Sequence, residues 1–419
     1  VYCHSQAQHY AWVAELAPEL FEHVRRLVAE GRWEVVGGMW VETDLNLPSG
    51  ESLIRQMVHG QRSFREWFGV TCDGAFLPDD FGYPGGLPQI VAHCGARWFF
   101  TQKLSWNETN RFPHHTFWWE GIDGSRVFAH FSPIDSYNAV LTPSQLRFAS
   151  RNFLDHRGAS SSLALFGHGD GGGGPTQDMI DRGRLSAGLD GVPGVSFGRV
   201  DRFYADAEDE YGSRAPVWVG EMYFEKHRGT YSSQIGTKQG NRRSEQLLHE
   251  LEVWTAASGA KDPTIDALWQ RVLTQQFHDI IPGSSIAWVH DDAEREHAEV
   301  ASAAEDRLSQ VFAVRTDGSA WVVNSAPVAV HGVVDVNGAP TWFEAEAMTS
   351  VEVTDAPTSV SPVRVTVDSA TGSITLDNGV VTAVVNAGGH VSSLSSGGRS
   401  VITRGGTTDF VLRRDTPAE

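Results

Sequence analysis

Acidic side chains follow several apolar runs of this sequence, and their chemistry makes them candidates for catalysis. The run at 75–77 is followed by Asp79 and Asp80, and the run at 162–166 leads into a glycine-rich stretch that contains Asp170. In proteins built from alternating strands and helices, catalytic groups lie at the carboxyl ends of strands. A carboxylate there can act as a nucleophile, a general base or a metal ligand. The alternative is a solvated turn, because Asp, Gly and Pro are common turn residues.

Two further apolar runs, at 33–36 and 98–100, are also followed by residues that could do chemistry. The polar and aromatic residues that follow them include Trp40, Glu42, Asp44, Lys103 and Trp106. A helical pattern ends on His278 and Asp279. Two carboxylates suffice to hydrolyse a glycosidic bond when one is ionised and the other is protonated. Two carboxylates and a histidine are the minimum for a metal-assisted hydrolase, so the residue types leave both chemistries open.

The elements that must position these residues alternate between strand and helix. This alternation predicts a mainly parallel sheet or barrel for residues 1–222. The apolar spacing predicts helices at 11–30, 52–68 and 87–93. It also predicts a strand at 162–166, a last strand at 217–219, and a β-hairpin of 116–119 with 126–131.

The pattern changes after residue 222. Helical spacing at 233–260, 264–278 and about 290–315 predicts a three-helix bundle domain over residues 223–316. From residue 317 onward, short β-branched runs separated by turn signals predict an antiparallel β region, the beginning of a β-sandwich domain over 317–419. The expected fold class is therefore multidomain, with α/β, α and β parts in that order.

Composition argues against several classes of protein. The chain has 419 residues, of which 41% are apolar, and a net charge of −19, which disfavours binding to nucleic acid or to an anionic membrane surface. Its three cysteines are scattered, so we expect neither a disulfide framework nor a zinc finger, and a reducing compartment is favoured. No apolar run approaches the length of a membrane span, and no signal peptide is visible.

Five longer motifs carry a resemblance to a known family. They are L-P-D-D-F-G-Y at 77–83, T-Q-K-L-S-W-N at 101–107, G-D-G-G-G-G-P-T at 169–176, H-R-G-T-Y at 227–231 and F-H-D at 277–279. Together they resemble the α-mannosidases of glycoside hydrolase family 38, in the bacterial and cytosolic/vacuolar branch. The resemblance runs from Ser5 to at least His290. It implies that residues 1–222 form a distorted, parallel seven-stranded (β/α) barrel that lacks its first βα unit.

The resemblance also implies a reaction and roles for individual residues. Members of the family hydrolyse terminal α-mannosides with retention, aided by a divalent metal that is usually zinc. Asp79 matches the nucleophile, which is also a metal ligand, and His278 matches the metal-binding histidine. Asp170 is the candidate acid/base. The candidates for substrate contact are Trp40, Lys103, Trp106, Arg228, Tyr231 and Asp279. Core packing is the alternative role for Trp40, Lys103, Trp106 and Tyr231, and bracing the loop is the alternative for Arg228.

The family match adds expectations about setting and partners. The substrate is a mannose-containing oligosaccharide, the compartment is the cytoplasm, and members often form dimers or tetramers. Two departures from the family pattern stand out. The His-x-Asp motif that supplies two further metal ligands is absent and is expected upstream of Val1, so we expect this chain to bind metal poorly. Asp80 replaces a small or apolar residue, and could raise the pKa of the nucleophile, contact the metal, or point into solvent.

Two other classes of function stay open from the residues. A metal-dependent polysaccharide deacetylase uses a related barrel with Asp and His ligands and would release acetate instead of mannose. A non-catalytic carbohydrate-binding protein would bind sugar without turnover.

Overall fold

The computed structural model describes residues 1–313, 319–353, 363–402 and 408. The chain divides into two compact units, Val1–Val314 and Arg315–Glu419. The division into three domains, at residues 222 and 316, stays a prediction. Within the part of the chain that is described, no helix is both long and apolar enough to cross a membrane.

The first unit alternates strands and helices and then becomes helical. Its strands are β1 (Tyr2–His4), β2 (Trp33–Val35), β3 (Gly74–Phe76), β4 (Trp98–Thr101), β5 (Thr116–Glu120), β6 (Arg126–Phe131) and β7 (Val217–Val219). Its helices are α1 (Ala7–Leu16), α2 (Pro18–Ala29), α3 (Gly50–Phe68), α4 (Leu87–His93), α5 (Pro143–Asn152), α6 (Gln177–Ser186), α7 (Val200–Tyr211), α8 (Ile235–Ala257), α9 (Thr264–Gln275) and α10 (Ala287–Phe312). Short 3₁₀ turns lie at Lys103–Trp106, Asp170–Gly172 and Arg228–Tyr231.

The strands of this unit form a mixed sheet and a separate pair. The five-stranded sheet has the order β3-β4-β6-β5-β7. Its neighbours are parallel except for the β5–β6 hairpin, which is antiparallel as predicted. Strands β1 and β2 make a parallel pair of their own. A mainly parallel arrangement is thus present, while closure into a seven-stranded barrel stays a prediction.

Helices cover both faces of the five-stranded sheet, because successive strand residues point to opposite sides. Phe99 of β4 packs in a core cluster with Leu53 and Met57 of α3. Its neighbours in β4, Trp98 and Phe100, belong instead to the cluster that contains Tyr204 of α7, whose ring stacks on Trp98 at 4.4 Å. This two-sided burial fixes the register of the sheet, and with it the places where its strands end.

Two sequence predictions in this unit are wrong. The single helix expected over 11–30 is two helices that meet at Ala17, where φ is −146°, since Pro18 excludes its predecessor from helical geometry. The apolar run at 162–166 is not a strand. It forms one isolated parallel bridge, Ala139 with Phe166, and the backbone N–H of Leu163 instead donates to His130 Nε2 at 3.2 Å.

Helices α8, α9 and α10 pack on one another and on the first helices of the chain. Leu251 of α8, Trp269 of α9 and Val300 of α10 lie in one buried cluster, together with Tyr10 of α1 and Phe64 of α3. The helical segment therefore shares a core with the α/β segment within the first unit, so the end of α9 has a fixed place near the sheet.

The second unit is built of antiparallel strands, as predicted. They are β8 (Trp321–Asn324), β9 (Val330–Val336), β10 (Ala339–Ala345), β11 (Thr349–Glu352), β12 (Arg364–Asp368), β13 (Ser373–Asp377), β14 (Val381–Val385), β15 (Val391–Ser396) and β16 (Arg399–Ser400). The last five form one sheet in sequence order. The β-sandwich stays a prediction.

Candidate active site

Neighbouring parallel strands bring Asp79 and Lys103 to the same edge of the sheet. Asp79 follows β3, and Lys103 begins the 3₁₀ turn that follows β4. The Lys103 ammonium group pairs with Asp79 Oδ1. Burial alone would raise the pKa of Asp79, but its contacts with His278 and Lys103 outweigh that effect and hold the pKa below its usual range. Asp79 is thus an ionised carboxylate at the end of a strand.

Aromatic rings surround the Lys103 ammonium group. Its Nζ lies 4.1 Å from the centre of the Trp106 ring and 5.7 Å from that of the Tyr137 ring. Such contacts stabilise a cation that has little access to water, and Lys103 is only 6% exposed. The cation beside Asp79 is therefore held firmly in place.

His278 reaches Asp79 from the other side because two distant stretches are joined by backbone. Thr43 and Phe277 form an antiparallel bridge, and the backbone N–H of His278 donates to the Glu42 carbonyl at 3.2 Å. Nδ1 of His278 donates to the same carbonyl at 2.8 Å, an assignment that follows because a carbonyl only accepts. Nε2 then faces Asp79 Oδ2 at 3.7 Å.

Three further acids crowd this histidine. Asp80 is 1% exposed, its Oδ2 lies 3.9 Å from His278 Nδ1, and neither of its carboxylate oxygens has a hydrogen-bond partner among the described residues. Burial, together with the negative charges of Glu42, Asp44 and Asp79, raises the pKa of Asp80 well above its usual range, against the opposing effect of His278. Asp80 is not in solvent, which excludes the outward orientation among the three considered for it.

The same acids act on His278. Burial would lower the pKa of His278, but contact with Asp79 and the charges of Asp80 and Glu42 raise it. A proton or another cation at this imidazole is therefore favoured by its surroundings.

Asp170 is brought to the same place by a loop of glycines. It begins the 3₁₀ turn Asp170–Gly172 inside a loop that His168 and Gly174 close by pairing their backbones at 2.8 and 2.9 Å. Nδ2 of Asn138 donates to Asp170 Oδ2 at 2.8 Å. Burial and the charges of Asp79 and Asp170 together raise the pKa of the Tyr137 hydroxyl group. The two acids predicted to act together therefore share one neighbour.

A cavity of about 330 Å³ opens at Asp79, which is in the size range of small-molecule sites. The residues that line it are Asp79, Phe81, Lys103, His227, Gly229, Thr230, Ser233, Asp279 and Ser284. Asp279 Oδ1 accepts from Ser284 Oγ at 2.8 Å. Oxygen-rich walls around a carboxylate suit a ligand with several hydroxyl groups.

Three pocket candidates are not among the residues that line this cavity. Trp40 is buried in the core, where its Nε1 donates to Thr274 Oγ1 at 3.0 Å. Arg228 Nε donates to the Glu225 carbonyl at 2.6 Å, which braces the loop. Tyr231 is half exposed and, like the other two, is not among the residues lining the cavity. Sugar contact by these three residues stays a prediction. The contacts described above are core packing for Trp40 and loop bracing for Arg228.

Tyr137 and Asn138 were not predicted as site residues. A usable signal was present, because both follow β6, which lies next to β4 in the sheet, so their loop leaves from the same edge as Lys103.

The site offers a metal only part of a coordination shell. Asp79 and His278 face each other, the His278 tautomer leaves Nε2 free to bind, and the unpartnered Asp80 lies beside them. Among the described residues there is still no group of three or more His, Cys, Asp or Glu arranged to hold an ion. Structural and catalytic zinc sites use three or four protein ligands. The residues fit as part of a metal site.

Family models match most of the first unit. The family model for the N-terminal domain of glycosyl hydrolases family 38 matches residues 1–221. The chain belongs to glycoside hydrolase family 38. The alpha mannosidase middle domain matches residues 225–314, so the family 38 chain carries Asp79 and Asp170 in one matched segment and His278 in the next.

Curated relatives and a solved structure bear the same names. Alpha-mannosidase G of Dictyostelium discoideum is 48% identical over 301 residues, which cover 71% of this chain and 28% of that protein. Alpha-mannosidase 2C1 of Homo sapiens is 37% identical over 444 residues, covering all of this chain and 42% of that protein. An alpha-mannosidase structure from Enterococcus faecalis V583 superposes with a TM-score of 0.63 at 16% identity, covering 93% of this chain and 55% of that one. The chain thus spans less than half the length of these curated relatives.

Proposed function

We propose that this family 38 chain carries the catalytic site of a retaining α-mannosidase, which releases terminal α-D-mannosyl residues from oligosaccharides. The observation that carries the proposal is the ion pair of Asp79 with Lys103, with His278 Nε2 facing the other carboxylate oxygen of Asp79 at 3.7 Å. Asp170 belongs to the same site, since the charges of Asp79 and Asp170 both act on the hydroxyl group of Tyr137. Retention of configuration requires that these two carboxyl groups lie about 5–5.5 Å apart, against about 6.5–9.5 Å in inverting enzymes.

The two carboxylates have different surroundings, as two-step chemistry requires. Asp79 is paired with Lys103 and is kept ionised, so it is suited to attack the anomeric carbon. Asp170 lies exposed in its loop and donates its proton to the departing glycosidic oxygen. In the second step, Asp170 accepts a proton from the water that hydrolyses the mannosyl–Asp79 ester, and mannose leaves with its configuration retained.

A divalent cation completes this proposal, and zinc is the first choice for carboxylate and imidazole ligands. Asp79 and His278 would hold it, with the Glu42 carbonyl orienting the imidazole through Nδ1. Bound there, such an ion would polarise sugar hydroxyl groups and offset the surplus of buried acids. The residues that would hold the ion also orient the nucleophile and keep the imidazole facing it.

The same cavity suits a sugar. Asp279, Thr230 and Ser233 offer acceptors and donors to sugar hydroxyls. Trp106, which is 37% exposed and whose ring centre lies 4.1 Å from Lys103 Nζ, offers an apolar face beside Lys103. Mannose-containing glycans are the proposed partners, because the relatives named above are alpha-mannosidases. The cytoplasmic location and a homo-oligomer stay predictions. Among the residues that the structure describes, no contact favours the deacetylase or the non-catalytic alternative.

Turnover of 4-nitrophenyl α-D-mannopyranoside tests the proposal. Asp79→Ala should lower kcat by roughly 10³-fold or more, while Asp178→Ala on α6 serves as a surface control. Proton NMR should show the α-anomer as first product, and a 2-fluoromannosyl adduct should map to Asp79. Normal turnover by Asp79→Ala, or an adduct on another residue, would refute the nucleophile assignment.

A further inference from the structure

The loop after β6 is anchored to other parts of the first unit. The side-chain amide of Gln102 exchanges hydrogen bonds with the backbone of Ser132, at 3.1 and 3.2 Å. Nδ2 of Asn152 donates to the Pro133 carbonyl at 2.8 Å and to Oδ1 of Asp135 at 3.0 Å. The loop therefore presents its next side chains in defined directions.

Tyr137 has a ring that is held in place by its neighbours. Its ring centre lies 6.0 Å from that of Trp106, and the Lys103 ammonium group lies 5.7 Å from it. The charges of Asp79 and Asp170 both act on its hydroxyl group. The fixed ring thus keeps this hydroxyl group near both acids.

Asn138, the next residue, holds Asp170 in a two-pronged contact. Its Oδ1 accepts from the backbone N–H of Gly169 at 2.7 Å, and its Nδ2 donates to Asp170 Oδ2 at 2.8 Å. Asp170 is exposed and flanked by glycines, which restrict backbone direction less than any other residue. The side-chain amide of Asn138 supplies the restraint that the glycines do not.

We propose that Tyr137 and Asn138 are positioning residues, with Tyr137 setting the separation of Asp79 and Asp170 and Asn138 setting the direction of the Asp170 carboxyl group. The inference rests on the proposed mannosidase function and deepens it. Neither residue forms or breaks a covalent bond in the reaction. Displacing Asp170 impairs proton donation to the leaving oxygen, whereas displacing both carboxylates also impairs attack on the sugar.

The dependence of kcat/KM on the leaving group separates these effects. A 2,4-dinitrophenyl mannoside needs no proton donor in its first step, whereas methyl α-mannoside does. Asn138→Ala should lower kcat/KM by about 10²-fold for the methyl glycoside and by less than about threefold for the dinitrophenyl one. Tyr137→Phe keeps the ring and removes only the hydroxyl, and should lower kcat by about 10-fold or more for both substrates with little change in KM. Tyr211→Phe removes a hydroxyl on which the charge of Asp155 acts instead, and is the matched control.

Equal losses for both substrates in Asn138→Ala, or wild-type kinetics in Tyr137→Phe, would overturn the inference while leaving the mannosidase proposal intact. Should the wild-type protein cleave no α-mannoside, the proposed function fails, and the positioning claim is then judged by crystallography. In the two variants, the Asp170 carboxyl group should move or become disordered relative to Asp79. Carboxyl groups of Asp79 and Asp170 that keep their positions in both variants would refute the positioning claim.

Discussion

The ammonium group of Lys103 pairs with the carboxylate of Asp79, although each belongs to the end of a different strand. Both side chains are largely buried, so water replaces the missing charge poorly if either partner is removed. The pair thus links the ionisation of the proposed nucleophile to the register of β3 and β4.

Removing the cation should therefore impair the first chemical step. We expect Lys103→Met, which keeps the apolar stem beneath Trp106, to lower kcat/KM for an aryl α-mannoside by about 10²-fold or more. Lys103→Arg, which keeps the charge, should retain more activity than Lys103→Met. Lys226→Met is the control, since Lys226 pairs with Glu108 in a more exposed position. Full activity in Lys103→Met would show that Asp79 needs no such partner.

The buried carboxyl group of Asp80 should lower the free energy of unfolding when no metal is bound. Its buried oxygens lack hydrogen-bond partners among the described residues, and three other acids act on it. In the presence of a chelator, Asp80→Asn should raise the free energy of unfolding by about 1–3 kcal/mol at pH 7, because Asn keeps the shape and needs neither a buried charge nor the uptake of a proton on folding. Urea denaturation of the two proteins measures the difference. A less stable variant would mean that the Asp80 carboxylate has a favourable partner.

Acid should destabilise the first unit through His130. This buried imidazole bonds Thr116 Oγ1 at 2.9 Å and accepts from the Leu163 N–H. Burial, aided by His115, lowers its pKa to about 3. The unfolded chain binds the proton below a pKa of about 6.5, so the unfolded state holds more protons and stability falls as pH decreases. Between pH 6.5 and 4.5 the cost is about 2–3 kcal/mol.

Unfolding measured by urea at several pH values checks this expectation. His130→Gln should be less stable than wild type at pH 7 but lose stability less steeply on acidification. His23→Gln, which changes an exposed side chain, should keep the wild-type slope. Parallel slopes for all three proteins would contradict a neutral buried His130.

Gly60 should tolerate no side chain. It lies inside α3, where a Cβ atom would overlap the backbone of Gly38 and Met39 in the loop that leads to Glu42. We expect Gly60→Ala to destabilise by about 3 kcal/mol or more, at or beyond the upper end of ordinary overpacking. Gly50→Ala, at the start of the same helix with no atom within 4 Å of the added Cβ, should be neutral or stabilising by up to about 1 kcal/mol. Thermal unfolding compares them, and equal melting temperatures would refute the close approach.

Local signals predicted several elements around the site. Residues 87–93 and 217–219 form α4 and β7 with the bounds expected, because apolar spacing and flanking glycines act over short distances. The break before Pro18 was missed because apolar positions continue at helical spacing on both sides of it. Residues 162–166 looked like a strand because burial alone produces an apolar run, whatever its hydrogen bonding.

Contacts across the chain were harder to infer. The resemblance to family 38 suggested that Asp79, Asp170 and His278 share a cavity, and spacing alone could not. Sugar contact by Trp40 stays a prediction, and spacing gave no sign that its N–H donates to Thr274 of α9. Tyr137 and Asn138 were missed because neither is a typical catalytic group, and their importance comes from a loop whose anchors lie elsewhere in the sequence.

The bridge between Thr43 and Phe277 has an evolutionary consequence. Residues 42–44 and 276–278 hold each other by main-chain bonds, including that of Asp44 N–H to the Gln276 carbonyl at 2.9 Å. Any replacement that shifts one stretch moves the imidazole or the acids around it. We therefore expect substitutions in the two stretches to be correlated among homologues. A chimaera that exchanges only one stretch between distant members should fold with the His278 imidazole displaced.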